Sequence, residues 1–257
     1  LLSDYSRQAR AYDTTRSASP SVLGPLREAL AGAPGRELLD IGGGTGNYAQ
    51  ALAAEGWRAL VVDRSPQMLL HAQAKNLATT HADATELPFA DESFDAVMLV
   101  SMIHHVDEPE RALAEARRVL RPGGRLALMA FTREDIDDSW CIDFFPASQS
   151  WMYETHPPLR ELLAELPGAR RIPVVYEDLE DGSMAALLGH PEKLLEADRR
   201  SQTSFFERME RDHPADLRAG LQRLERELSE GRAPRRSGGA SMIAWTKGAT
   251  SHPVRSS

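Results

Sequence analysis

The stretch Glu37–Asn47 (Glu-Leu-Leu-Asp-Ile-Gly-Gly-Gly-Thr-Gly-Asn) constrains this chain more than any other. Leu38, Leu39 and Ile41 lead into four glycines, Gly42, Gly43, Gly44 and Gly46, spread over five residues. Helix-forming Tyr48–Glu55 follows. The pattern predicts a buried strand, a tight turn and a helix start. Glycine permits positive φ and lets a ligand approach where a Cβ would stand. Free N–H groups at the helix start favour anionic or carboxylate ligands. An ordinary strand–turn–helix connection would show the same pattern, so the turn alone assigns no ligand.

Asp40 narrows the choice, because it places a carboxylate two residues before the first glycine. A dinucleotide fingerprint needs G-x-G-x-x-G, with the third glycine allowing close helix packing. Counted from Gly42 that position is Asn47, which disfavours a nicotinamide oxidoreductase. The stretch resembles motif I of the class I S-adenosylmethionine (SAM) methyltransferases, acidic-x-Gly-x-Gly-x-Gly, through Asp40, Gly42, Gly44 and Gly46. The resemblance is to the small-molecule, ubiquinone/menaquinone-methyltransferase-like branch.

Downstream residues extend the resemblance. Trp57–Val62 predicts a second strand ending at Asp63, and Ser65-Pro66 predicts the cap and first turn of a helix over 66–75. An acidic strand tip can accept from both ribose hydroxyls. Ala78–His81 predicts a third strand, and Asp83 follows Asp63 by 20 residues. Ala96–Val100 reads as a central parallel strand, followed by Ser101, Met102, Ile103, His104 and His105 at its tip. Asp107–Glu110 has capping-box spacing for a helix over 108–120, and Arg125–Phe131 predicts a fifth strand. The segments Leu87–Asp95 and Val119–Leu126 resemble the family's approach to the fourth strand and its R-V-L-x-P-G-G-x-L signature.

The resemblance implies a cofactor site for SAM, with S-adenosylhomocysteine as product. It is built from Asp40, Gly42, Gly43, Gly44, Asn47, Asp63, Arg64, Met68, Asp83, Ala84 and Ser101. Asp83 would accept from the adenine amino group and the Ala84 N–H would donate to the ring. Met68 suits an adenine face, or simply the core. In the N-terminal segment Tyr12 and Arg16 would reach the methionine carboxylate, or else belong to a surface helix. A histidine titrates in the range useful for removing an acceptor proton. His104 and His105 are the candidate catalytic residues, with His105 favoured and the expectation that only one points inward from an extended stretch. His156 and Asp143 are reserves. A purely structural role for the pair stays open, and no metal site is expected.

Beyond the fifth strand the pattern loosens. Trp140, Phe144, Phe145, Trp151 and Tyr153 lie among acidic residues and His156, as an acceptor wall or as a loop packed on the core. Pro158–Leu166 predicts a helix, Arg171–Tyr176 a sixth strand and Ser241–Thr246 an antiparallel last strand. Residues 177–239 exceed a hairpin loop and read as a helical insertion, broken near Gly189-His-Pro191, with Leu217, Leu221, Leu224 and Leu228 on one face. A lid, a substrate wall and a dimer surface all fit it. Arg232, Arg235 and Arg236 read as a solvated cluster.

The expected fold is thus α/β: a Rossmann-like, seven-stranded, mostly parallel sheet with an antiparallel last strand and a helical insertion before it. All 257 residues form one domain. Its parts are an N-terminal helical cap (1–35), a SAM-binding core (36–131), an acceptor region with the sixth strand (132–176), the insertion (177–239), the last strand (240–247) and a tail (248–257). A net charge of −8 argues against a phosphate backbone as partner. One cysteine, no apolar run near ~18 residues and no signal-peptide pattern predict a reducing, cytoplasmic setting without a membrane span. The expected activity is methyl transfer to an O, N or C nucleophile of a small molecule. A non-catalytic SAM-binding subunit and a tRNA or other nucleic-acid methyltransferase remain alternatives, and a homo-oligomer is left open.

Overall fold

The computed structural model describes residues 18–176, 184–232, 234 and 239–248. Among them, seven strands join in one sheet of order β3-β2-β1-β4-β5-β7-β6. The strands are β1 (Glu37–Ile41), β2 (Arg58–Asp63), β3 (Ala78–His81), β4 (Phe94–Val100), β5 (Leu120–Ala130), β6 (Arg170–Val175) and β7 (Gly239–Thr246). The first five run parallel, while β7 lies antiparallel to both β5 and β6.

Parallel strands must be covered on both faces, and alternate side chains supply the two covers. Leu38, Val61, Ala96, Met98 and Ala127 join one apolar cluster with the helices Pro20–Leu30, Asn47–Ala53 and Pro66–Ala74. Leu39, Ile41, Val62, Val97, Leu99 and Leu128 join a second cluster with the helices Pro109–Val119 and Leu159–Glu165. The carboxyl ends of β1, β2 and β4 then open on one edge, where the glycine turn and the His104-His105 pair both lie.

Several local expectations shift. β5 starts at Leu120 and runs through the Pro122-Gly123-Gly124 turn, with a register irregularity against β4 between Phe94 and Ala96. The Asp107–Glu110 capping box does not form, because Glu108 occupies the N-cap without a side-chain bond and Pro109 opens the helix. His104 and His105 are not extended. They close a 3₁₀ turn over Ile103–His105, which removes the reason for one ring facing in and the other out.

The loosened segment after β5 is helical, in three short pieces: Arg133–Asp138, Trp140–Phe144 and Ser148–Thr155. Thr132 and Asp135 form a capping box at its start. Asp135 Oδ1 also accepts from Arg171 Nη2 at 2.9 Å and Ser241 Oγ at 3.0 Å, which ties this segment to β6 and β7. The insertion contains helices Met184–Gly189, Ala197–Arg200, Ser204–Asp212 and Pro214–Ser229, with a 3₁₀ turn over Pro191–Leu195 after the Gly189-His-Pro191 break. Most of its apolar face packs on the post-β5 segment, while Ala186 joins the first sheet cluster beside Val174 and Met242. Trp140, Phe144 and Phe145 meet Phe205, Phe206, Met209, Leu217 and Leu224 in a third cluster. At Gly220 a Cβ would stand 2.3 Å from the Phe144 carbonyl oxygen, so glycine sets how closely the two segments approach. Arg232 pairs with Glu230. Arg235 and Arg236 lie outside the described residues, as do Tyr12 and Arg16.

Candidate active site

The glycine turn is held by β2. Gly42 and Gly43 N–H donate to the Val62 carbonyl at 2.7 and 3.2 Å. Gly42, Gly44 and Gly46 have φ of +66°, +56° and +74°, where a side chain is strained. Two of these glycines also make close approaches. A Cβ on Gly42 would come within 2.8 Å of Met102, and one on Gly46 within 2.5 Å of Leu77. Gly44 instead faces open space.

Beneath the turn lies Asp40, 2% exposed. A Cβ on Gly43 would be 2.3 Å from its Oδ2. Burial, and then the Asp63 charge, push the Asp40 carboxyl up to about 8. Asp40 and Gly43 therefore support the turn from behind and are not on the cleft wall. Asn47 is also behind it, because its Oδ1 accepts from Lys75 Nζ, which bonds the Thr45 carbonyl at 2.9 Å as well.

Asp63, at the tip of β2, accepts from Gly44 N–H at 2.9 Å on Oδ2 and from Ser65 N–H at 2.8 Å on Oδ1. A carboxylate offers about four lone-pair sites, so each oxygen can accept again. The Ser65 hydroxyl caps the helix Pro66–Ala74 through Met68 N–H, as its position predicts. Asp83 accepts from both the N–H and the hydroxyl of Thr85, at 2.8 and 2.6 Å, which holds its carboxyl below the usual range. Ser101 is left-handed at φ +54°, with its N–H on the Met129 carbonyl. A strained non-glycine residue at a strand tip is typical of a functional edge.

These residues converge on a cleft of about 480 Å³. Gly42, Gly44, Asp63, Arg64, Met68, Asp83, Ala84, Ser101, His104 and His105 all line it. A second cavity of about 620 Å³ adjoins it, walled by Phe131, Trp151, His156, Tyr176, Phe205 and Arg208 among others. Arg64, His104, His105, Asp107, Met184 and Ser204 line both. The rings of His104 and His105 are 3.9 Å apart, and His104 stacks on His156 at 5.0 Å. His104 Nδ1 is buried without a hydrogen-bond partner. Burial, with His105 and His156 close by, pushes the ring down to about 2. Burial also lowers His156, whose Nδ1 bonds the Met152 carbonyl.

The post-β5 region is divided. Trp151 and His156 face the second cavity, while Trp140, Phe144 and Phe145 fill the third cluster, and Tyr153 pairs with Asp137. Asp143 is off both walls, and its carbonyl accepts from Arg223. Sequence reasoning missed Thr85 and Asp107, and also Met184, Gln202 and Ser204 from the insertion. Thr85 was readable as the donor two residues after Asp83. Nothing local marks the insertion residues, which tertiary packing brings to the wall. Among the described residues no group of three His, Cys, Asp or Glu side chains is placed to hold a metal ion, and no helix is long and apolar enough to cross a membrane.

The strand order with an antiparallel seventh strand, and a glycine turn facing an acidic strand tip, define a class I SAM-dependent methyltransferase fold. Residues 39–128 match the family described as "Methyltransferase domain". Over that core the chain is similar to ubiquinone/menaquinone methyltransferases. It is 40% identical over 109 residues to the demethylmenaquinone methyltransferase of Clavibacter sepedonicus, covering 40% of this chain and 44% of the relative. It is 44% identical over 114 residues to the ubiquinone/menaquinone biosynthesis C-methyltransferase UbiE of Paracoccus denitrificans, covering 40% and 46%. The matched part thus spans less than half the length of these relatives. A crystal structure from an antibiotic biosynthesis pathway of Anabaena variabilis superposes with a TM-score of 0.70 at 25% identity, covering 89% of this chain and 97% of that one.

Proposed function

We propose that this chain binds SAM in the first cleft and methylates an O, N or C nucleophile of an aromatic small molecule held in the second cavity. The observation that carries this reading is the shared wall, since the two cavities meet at His104 and His105. The fit to SAM rests on the chain's own groups. Asp63 has accepting capacity left for two hydroxyls, the Gly44 backbone faces open space, and Met68 and Ala84 give an apolar face for a base. Asp83 and Ser101 complete the edge. Asp40 holds the turn from beneath.

When bound, SAM supplies a methyl group already activated on a sulfonium. The protein's task is then positioning and water exclusion, and alignment can supply about 7–11 kcal/mol in favourable cases. An imidazole that ionises near 2 cannot hold an acceptor proton at neutral pH. His105 is therefore the better candidate for the base, and His104 serves as a neutral hydrogen-bonding wall. The aromatic lining Phe131, Trp151, Tyr176 and Phe205, with relatives named for quinone methylation, supports an aromatic acceptor. A net charge of −8 favours a small molecule over nucleic acid, and the one cysteine, Cys141, is buried, in keeping with a reducing cytoplasm.

The test is incubation with methyl-deuterated SAM and a panel of hydroxylated aromatics, read by mass spectrometry. A product heavier by one labelled methyl, lost in Asp63→Ala, is expected. Binding of S-adenosylhomocysteine without turnover of any acceptor would favour a non-catalytic SAM-binding subunit, and no binding would overturn the reading.

A further inference from the structure

Two guanidiniums compete for one carboxylate beside the second cavity, and the inference rests on that cavity being the acceptor site. Asp212 ends the helix Ser204–Asp212. Arg211 takes both its oxygens, with Nε 2.8 Å from Oδ1 and Nη2 2.9 Å from Oδ2. Arg208 approaches only to 3.6 Å, beyond a hydrogen bond, and its Nε is buried without a partner. Its guanidinium lies over the Trp151 ring, 4.5 Å from the centroid, and that ring is 5.3 Å from Phe205. Arg208, Trp151 and Phe205 all line the second cavity, and none lines the cofactor cleft. The charged residues on this wall are Arg64, Asp107 and Arg208, so cations outnumber carboxylates among the described residues.

An under-matched guanidinium on an aromatic floor fits an anion attached to a planar ring, because a carboxylate matches the guanidinium fork and the ring stacks beside it. The histidine pair lines the same cavity, at the wall shared with the cofactor cleft. We propose that the acceptor is an aryl carboxylate. Its carboxylate sits on Arg208, its ring packs against Trp151 and Phe205, and its nucleophile is directed to His104 and His105. Arg208 is then a specificity residue that sets which aromatic is accepted and takes no part in the methyl transfer.

The test is calorimetry on the full chain with S-adenosylhomocysteine present, using 3-hydroxy-2-naphthoate and its methyl ester as matched probes. The parent should bind the acid at least about tenfold more tightly than the ester, the difference that one charge-assisted contact makes. Arg208→Gln should erase that preference. Asp212→Asn removes the competing carboxylate and should enlarge it, whereas Arg211→Gln frees Asp212 for Arg208 and should shrink it. A merely structural role for this helix would not move the two flanking variants in opposite directions. Equal binding of acid and ester, binding of neither, or an acid preference that survives in Arg208→Gln would overturn the proposal. Should Arg208→Gln fail to fold, an unchanged preference in Asp212→Asn overturns it alone. Intact S-adenosylhomocysteine binding with no acid preference would sink this inference only. An Arg208-dependent preference without S-adenosylhomocysteine binding would sink the cofactor reading and leave the carboxylate site standing.

Discussion

Asp63→Ala separates what the strand tip does for the fold from what it does for the cofactor. In the parent the carboxylate accepts from Gly44 N–H and Ser65 N–H at 2.9 and 2.8 Å. Each is worth about 0.5–1.5 kcal/mol net at this half-buried position, so the variant should lose about 1–3 kcal/mol of stability. At this chain length that is a fall in Tm of about 2–4 °C per kcal/mol. For the cofactor, two hydroxyl bonds to a charged acceptor are worth about 1.5–3 kcal/mol each. Water will substitute in part, which leaves a loss of about 2–4 kcal/mol, or about 30- to 1,000-fold in Kd. Thermal unfolding gives the first number, and calorimetry with S-adenosylhomocysteine well below the new Tm gives the second. Asp63→Asn keeps one accepting oxygen and sets an NH₂ against one of the two backbone donors, so it should fall between parent and Ala in affinity. Parental affinity in folded Asp63→Ala would refute the ribose assignment. An affinity loss that vanishes on cooling would show that only the turn had been weakened.

Other outcomes follow from particular contacts. Gly43→Ala should cost about 1–3 kcal/mol by overpacking against Asp40. Gly44→Ala meets no neighbour and should cost only the left-handed strain at φ +56°, about 1 kcal/mol; equal losses in denaturant titrations would contradict this. His104 is neutral when folded and charges near 6.5 when unfolded, so the unfolded state binds the extra proton and stability drops as pH falls below 6.5. Its share is about 1 kcal/mol between pH 7.5 and 5.5. Asp40 runs the opposite way, holding its proton when folded until about pH 8, so stability falls as pH rises through that window. Comparing His104→Gln with the parent at both pH values isolates the histidine, and identical slopes would refute its buried neutral state. Residues 184–232 supply Met184, Gln202 and Ser204 to the cleft wall, so their amides should gain hydrogen-exchange protection when S-adenosylhomocysteine and 3-hydroxy-2-naphthoate are both bound. Protection confined to the sheet edge would make the insertion a static wall.

The amino-acid sequence by itself determined the sheet, the glycine turn and the acidic strand tips, because each is written in neighbouring residues. A strand needs a short apolar run, a turn needs glycine where φ is positive, and Asp63 stands at the end of such a run, with Asp83 two residues past the more polar β3. The motifs therefore named Gly42, Gly44, Asp63, Met68, Asp83 and Ser101, which line one cleft in the fold. Tertiary structure alone decided which side of a wall a residue occupies. Asp40, Gly43 and Asn47 belong to the same motif as Gly42 and Gly44, yet they sit behind the turn, since one backbone cannot present every side chain to one cleft. The 3₁₀ turn at Ile103–His105 brought the two histidine rings together where an extended stretch would have parted them. The second cavity depended on tertiary structure most of all. Its wall joins His104, Trp151, Tyr176, Phe205 and Arg208, residues far apart in the chain, and no local pattern records that a helical insertion will fold onto the segment after β5 and close over the sheet edge.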